Sequence, residues 1–196
     1  MKANEPMRIV GLIGHLKKGS RTAKITERML SFLTNELASQ GYAATQQTFE
    51  LSELGVGLFT WGDPEVQKVI DQVRDAEIVL VASPTFKASY TGLLKSFLDL
   101  LPQDGLLGKL AIPLMVGASP HHSLAVELQL RPVLSELGAY CPAQGLYVLD
   151  SQMEILDDVL NGWMERNMVT FAPWTATAVE EKGGEVFRIA EESAAK

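Results

Sequence analysis

The residues best suited to chemistry lie in two short stretches. The first is Gly14-His15-Leu16-Lys17-Lys18-Gly19-Ser20-Arg21-Thr22, which places glycines, hydroxyls and cations just before an apolar-striped helix. A helix start presents unbonded N–H groups and the positive end of a dipole, so phosphate is a natural ligand there. A plainer use is equally open: Ser20 or Thr22 caps the helix, and Lys17, Lys18 and Arg21 stay solvated. The triphosphate-binding pattern G-x-x-x-x-G-K-[ST] is excluded. Gly14 and Gly19 have its separation, but Ser20 stands where lysine is required. The dinucleotide fingerprint G-x-G-x-x-G is absent too, because Gly11 and Gly14 lie outside its spacing. What remains is a hydroxyl-rich loop for one terminal phosphate.

The second stretch is Ser83-Pro84-Thr85-Phe86-Lys87-Ala88-Ser89-Tyr90-Thr91-Gly92, directly after the apolar run Ile78-Val79-Leu80-Val81-Ala82. Pro84 fixes its own φ, lacks an N–H and pushes Ser83 towards an extended conformation, so a strand ends here. In open α/β sheets, ligands sit outside the carboxyl ends of strands. The loop offers flat side chains and backbone donors, which suits the ring of a mononucleotide such as FMN. It also reads as an ordinary strand-to-helix turn with packing aromatics. A third loop, Gly117-Ala118-Ser119-Pro120-His121-His122, falls at the same sheet edge. Gly117 would permit close approach to a ring. His121 and His122 either contact a ligand, cap a helix or face solvent.

The elements that must position these loops alternate between strand and helix. Strands are expected over residues 8–13, 42–49, 77–83, 109–116 and from 145 within 139–149. Helices are expected over 22–38, 64–74, 90–101, 123–137 and 154–169. The stripe Ile25, Met29, Leu30, Leu33 and Leu37 has helical period. Residues 51–62 are rich in glycine and read as irregular, and Pro113 suggests an edge or irregular position for the fourth strand. Five strands alternating with helices form a doubly wound parallel sheet, of either dinucleotide-binding or flavodoxin-like order. The strand residues Ile9, Val10, Leu12, Ile78, Val79, Leu80, Val81, Leu114, Met115 and Val116 are the expected core.

The composition narrows the function. The 196 residues carry a net charge of -7, with 46% hydrophobic and 21% charged residues. That suits a soluble domain and argues against nucleic acid, whose binders carry a basic face. Cys141 is the only cysteine, and His15, His121 and His122 are the only histidines, so a cysteine- or histidine-based metal site is not expected. No apolar run approaches membrane-spanning length, and residues 1–6 lack an apolar signal core, so a cytoplasmic location is expected.

Together the three loops resemble the NAD(P)H-dependent FMN reductase family, nearest to the reductases of two-component alkanesulfonate and methanesulfonate monooxygenases. The likeness spans residues 7–151. Its strongest part is Ser83 to Leu101 with Pro102, similar to S-P-x-[YF]-[KR]-x-[SA]-Y-[ST]-G-x-[LF]-K. Gly108-Lys109 through Gly117 and the segment Leu124 to Leu134 follow. The first loop departs from G-S-x-R-x-x-S-x-[ST], with His15 replacing a small hydroxyl residue and Lys17 the arginine.

The resemblance implies a flavodoxin-like α/β fold with strand order 2-1-3-4-5. Residues 1–172 would form one FMN-binding domain and 173–196 a polar tail or arm. It implies FMN and NAD(P)H as cofactors. FMN would be bound by Gly14, Lys17, Ser20, Arg21, Thr22, Pro84, Thr85, Phe86, Lys87, Ala88, Ser89, Tyr90, Gly117 and Ala118. Hydride would pass from nicotinamide to flavin N5 with no catalytic side chain. A homodimer or homotetramer is implied, with an FMNH2-dependent monooxygenase as partner and the helix over 90–101 as a contact face. An FMN-retaining quinone, azo-dye or metal-ion reductase, or a flavodoxin-like electron carrier, would share the fold. Pro132 falls inside the helix expected over 123–137, so a kink or π-bulge is expected near Leu128. Relatives commonly place Tyr or His there, which makes Leu128 a candidate for tuning flavin exchange.

Overall fold

The computed structural model describes residues 6–171. Five parallel strands lie in the order β2-β1-β3-β4-β5: β1 (Met7–Ile13), β2 (Ala44–Glu50), β3 (Ile78–Pro84), β4 (Leu110–Gly117) and β5 (Leu146–Leu149). The helices are α1 (Arg21–Ser39), α2 (Pro64–Asp75), α3 (Gly92–Leu98), α4 (Arg131–Glu136) and α5 (Leu156–Asn167). Strand period explains the layering. Ile78, Leu80 and Ala82 join Leu30 of α1 and Trp163 of α5 on one face. Val79 and Val81 join Val69 of α2, Phe97 of α3 and Leu134 of α4 on the other. Every expected core residue is buried.

The central strands carry apolar residues on both faces because both faces are covered. Pro113 sits inside β4, an interior strand and not an edge, paired with Val81. The Leu110 N–H donates to Glu77 on the β3 side, and the Ala111 N–H donates to Tyr140 on the other. Alternation therefore points Pro113 away from β3, where pairing with β5 begins only at Leu114. Its missing donor costs no ladder bond.

Local chemistry sets the helix boundaries. Ser20 caps α1, its hydroxyl accepting from the Ala23 N–H at 3.1 Å. Asp63 caps α2 through the Glu65 and Val66 N–H groups, with Pro64 at the first position. Residues expected to be irregular form two short 3-10 segments, Leu51–Glu53 and Gly55–Phe59. The helix expected over 90–101 is shorter, because Thr91 caps α3 and Tyr90 lies before it, outside the helix. Leu94, Phe97 and Leu98 of α3 face the core, so most of its apolar side is already covered.

The expected irregularity near Leu128 is a π-helical turn, Val126–Leu130, running directly into α4. Pro132, in the first turn of α4, has no N–H to return to Leu128, and the wider turn removes that demand. Leu128 itself is 65% exposed. Glu127 and Arg131 pair across the turn, while Arg131 also donates to the Cys141 and Ala143 carbonyls. Burial alone would raise the Glu127 carboxyl. Arg131 and the Gly145 N–H outweigh it and hold the group below the ordinary carboxylate range.

Candidate functional site

The strand order reverses between β1 and β3, so the loops after these strands diverge and leave a crevice at their carboxyl ends. Gly14 closes its base. Its N–H donates to the Ala82 carbonyl at 2.8 Å, and its carbonyl accepts from the Thr91 hydroxyl at 2.6 Å. A Cβ on Gly14 would stand 2.6 Å from Leu94 Cβ, so the chain can pass here only as glycine. Gly14 thus positions the first loop without lining the cleft.

The cleft holds about 420 Å³. One wall is the start of α1, with Lys17, Ser20, Arg21 and Thr22; the other is Pro84, Thr85 and Phe86, with Gly117 and Ala118 completing it. These nine of the expected residues therefore meet at one place. The two walls also touch: the His15 ring lies edge-on to Phe86, centroids 6.0 Å apart. The Lys17 N–H donates to His15 Nδ1 at 2.9 Å, which folds the loop tightly.

The first helical bond of α1 runs from the Lys24 N–H to the Ser20 carbonyl, so the Arg21 and Thr22 N–H groups precede the ladder. Two of the three cations here are already paired. Lys18 pairs with Glu53, and that hydrogen bond, then the carboxylate's charge, raises the amine above its ordinary value. The Gly19 N–H donates to Glu50 at 2.9 Å, and Arg21 pairs with Asp150 at 2.9 Å. Among the described residues, Lys17 and Lys24 have no carboxylate within ion-pair distance.

The opposite wall is built differently. Ser83 is buried, and its hydroxyl accepts from the Thr91 N–H at 3.0 Å and donates to the Pro84 carbonyl at 2.9 Å. Phe86 and Ser89 exchange both backbone hydrogen bonds, at 2.9 and 3.2 Å. Between them Lys87 (φ 53) and Ala88 (φ 62) both take left-handed backbone. That is the sign pattern of a type I′ turn, which ordinarily selects Asn or Gly. Lys87 and Ala88 form the exposed tip, Ser89 closes the turn, and Tyr90 packs against the core; none of the four lines the cleft.

Thr85 donates its N–H to the Val116 carbonyl at 2.6 Å, yet its buried hydroxyl has no hydrogen-bond partner. A buried hydroxyl without a partner calls for an explanation, and in a residue lining a cleft a polar ligand atom is one. Gly117 is glycine for a neighbour's sake: a Cβ there would stand 1.9 Å from Tyr147 Oη, which donates to the Ser119 carbonyl at 2.9 Å. His121 and His122 sit in an exposed 3-10 turn outside the cleft.

His15, Gly19, Lys24, Val116 and Asp150 also line the cleft and were not among the expected FMN-binding residues. Asp150 directly follows β5, so the strand-end rule applied to the fifth strand would have found it. Lys24 lies one turn beyond Ser20 on α1.

A family model described as NADPH-dependent FMN reductase matches residues 7–154. The chain is 36% identical over 147 residues, 75% of each protein, to the FMN reductase (NADPH) of Escherichia coli strain K12. It is 31% identical over 153 residues to the NADH-dependent FMN reductase SfnE of Pseudomonas putida, covering 76% of this chain and 80% of that one. Among solved structures, the apo form of the NADH:FMN oxidoreductase EMOB superposes with a TM-score of 0.69 at 29% identity, over 82% of this chain and 90% of that one.

Proposed function

The chain belongs to the NADPH-dependent FMN reductase family, and from that premise we propose that its cleft holds FMN and that the reduced flavin is passed to a monooxygenase. The protein is an NAD(P)H-dependent FMN reductase, an oxidoreductase. FMN, when bound, supplies the redox chemistry, accepting a hydride at N5 from nicotinamide C4. The chain's own work is to bind, orient and exclude water.

At one end Ser20, Arg21 and Thr22 hold the phosphate, with Lys17 close by on the same wall. At the other, Pro84, Thr85 and Phe86 support the ring, and Gly117 and Ala118 border it. No side-chain acid, base or nucleophile is required. The observation that carries this reading is one cleft lined both by a helix start and by Thr85, whose buried hydroxyl is partnerless. The two ends of that cleft match the two ends of a mononucleotide.

The chain's relatives divide between NADPH and NADH, so both nicotinamides are proposed as hydride donors. Association as a homodimer or homotetramer is supported by exposed apolar residues on and beside the π-turn, Leu124 (64%) and Leu128 (65%). Among the described residues no helix is long and apolar enough to cross a membrane, which fits the cytoplasmic placement we propose. The proposed polar arm, residues 173–196, lies outside the described residues.

Steady-state oxidation of NAD(P)H at varied free FMN tests the function. FMN should behave as a saturable substrate, and reduced flavin should be recoverable by a flavin-dependent monooxygenase. Tightly retained FMN with ping-pong reduction of a quinone would overturn the delivery role. Absence of any NAD(P)H oxidation would overturn the enzyme.

A further inference from the structure

Of the side chains that line the cleft, Asp150 is the acidic one. It follows β5 directly, and its carboxylate sits 2.9 Å from Arg21 at the first position of α1. Arg21 is the cation placed nearest the helix start that offers itself to a phosphate. A carboxylate and a phosphate are both acceptors, so they compete for the same guanidinium donors. A phosphate drawn to this helix start must either displace Asp150 from Arg21 or settle beside a like charge.

The other two carboxylates of the region act differently. Glu50 accepts from the Gly19 N–H and Glu53 pairs with Lys18, and neither lines the cleft. They shape the loop from its outer side. Asp150 alone stands where the ligand's charge would arrive.

Resting on the assignment of FMN to this cleft, we propose that Asp150 is an affinity-setting residue: it holds Arg21 against the incoming phosphate and keeps FMN exchangeable. The ion pair is partly exposed, with side chains 60% and 35% accessible, so opening it costs little. FMN therefore binds, but without the full attraction of the helix start. This is the behaviour required of a flavin that leaves after reduction. The residue also sets discrimination: it weakens flavins that carry a phosphate and leaves riboflavin, which has none, untouched.

Equilibrium quenching of flavin fluorescence tests this, with FMN and riboflavin as probes, on the wild type, Asp150→Asn, Arg21→Ala and the double variant. Asp150→Asn should lower the FMN dissociation constant about three- to fivefold, by removing an acceptor that competes for Arg21 in a partly exposed pair. Riboflavin affinity should stay within about twofold, the scale of a change that leaves its own contacts alone. In the Arg21→Ala background the FMN gain should shrink. Asp150→Ser should reproduce the gain if Asp150→Asn folds poorly.

Weaker or unchanged FMN binding in both Asp150 variants would overturn the proposal, since it would make Asp150 a support that orients Arg21. Equal tightening of riboflavin would overturn it also, by placing the effect at the ring. If neither wild type nor variants bind FMN, the cleft assignment itself fails, an outcome distinct from the other two.

Discussion

The loop after β1 is tied to its surroundings by charges at the surface: Lys18 to Glu53, Gly19 to Glu50, Arg21 to Asp150. The loop after β3 is tied by buried hydroxyls: that of Ser83 accepts from the Thr91 N–H, and that of Thr91 donates back to the Gly14 carbonyl. Exposed ion pairs contribute about 0–1 kcal/mol each and rearrange easily. Breaking a buried hydrogen bond leaves an unsatisfied group and costs about 1–3 kcal/mol. The proposed ring end of the cleft is therefore preorganised, and the proposed phosphate end is adjustable. On the proposed function, this division lets one protein recognise a flavin and still release it.

The sharpest way to break this contrast is at Thr91. Its hydroxyl donates to Gly14 and accepts from the Leu94 N–H at 3.1 Å, in a side chain only 3% exposed. Thr91→Ala removes a helix cap and a loop-to-loop tie together, and should cost about 2 kcal/mol in urea denaturation. Lys18→Met, at the other end, should leave the denaturation midpoint in place. Equal losses from the two would erase the distinction between the ends.

Thr85→Val separates binding from folding. The hydroxyl has no partner to lose, so stability should hold or rise slightly, while FMN affinity falls about fivefold for one lost hydrogen bond. A marked loss of stability would mean that the hydroxyl serves the fold and not the ligand. The smallest effect is expected at the turn tip. Ala88 has φ 62 without being glycine, so Ala88→Gly should stabilise the protein by about 0.5 kcal/mol. Destabilisation would show that this backbone carries no strain.

The same contrast explains what the sequence revealed. The apolar run of β3, the stripe of α1 and the proline of α4 are local signals, and all three appear where their periodicity or sterics require. The π-turn is legible because Pro132 cannot donate to Leu128. The ends of α3 are less so, since Tyr90 and Thr91 look like helix until Ser83 and Gly14 claim Thr91 for the turn. Pro113 misleads because its exemption depends on where β5 begins pairing. Asp150 is marked in sequence only as the residue after the fifth strand, and nothing near it marks its partner. Only the alignment of β5 with the other strand ends brings its carboxylate to Arg21.

The most direct test of the central claim, that one cleft binds FMN at both ends, is a crystal structure of the protein with FMN. The phosphate should sit on the start of α1 among Ser20, Arg21 and Thr22, and the ring should lie against Thr85 and Gly117 with a polar atom on the Thr85 hydroxyl. Flavin found elsewhere, or a ring that leaves that hydroxyl without a partner, would contradict it.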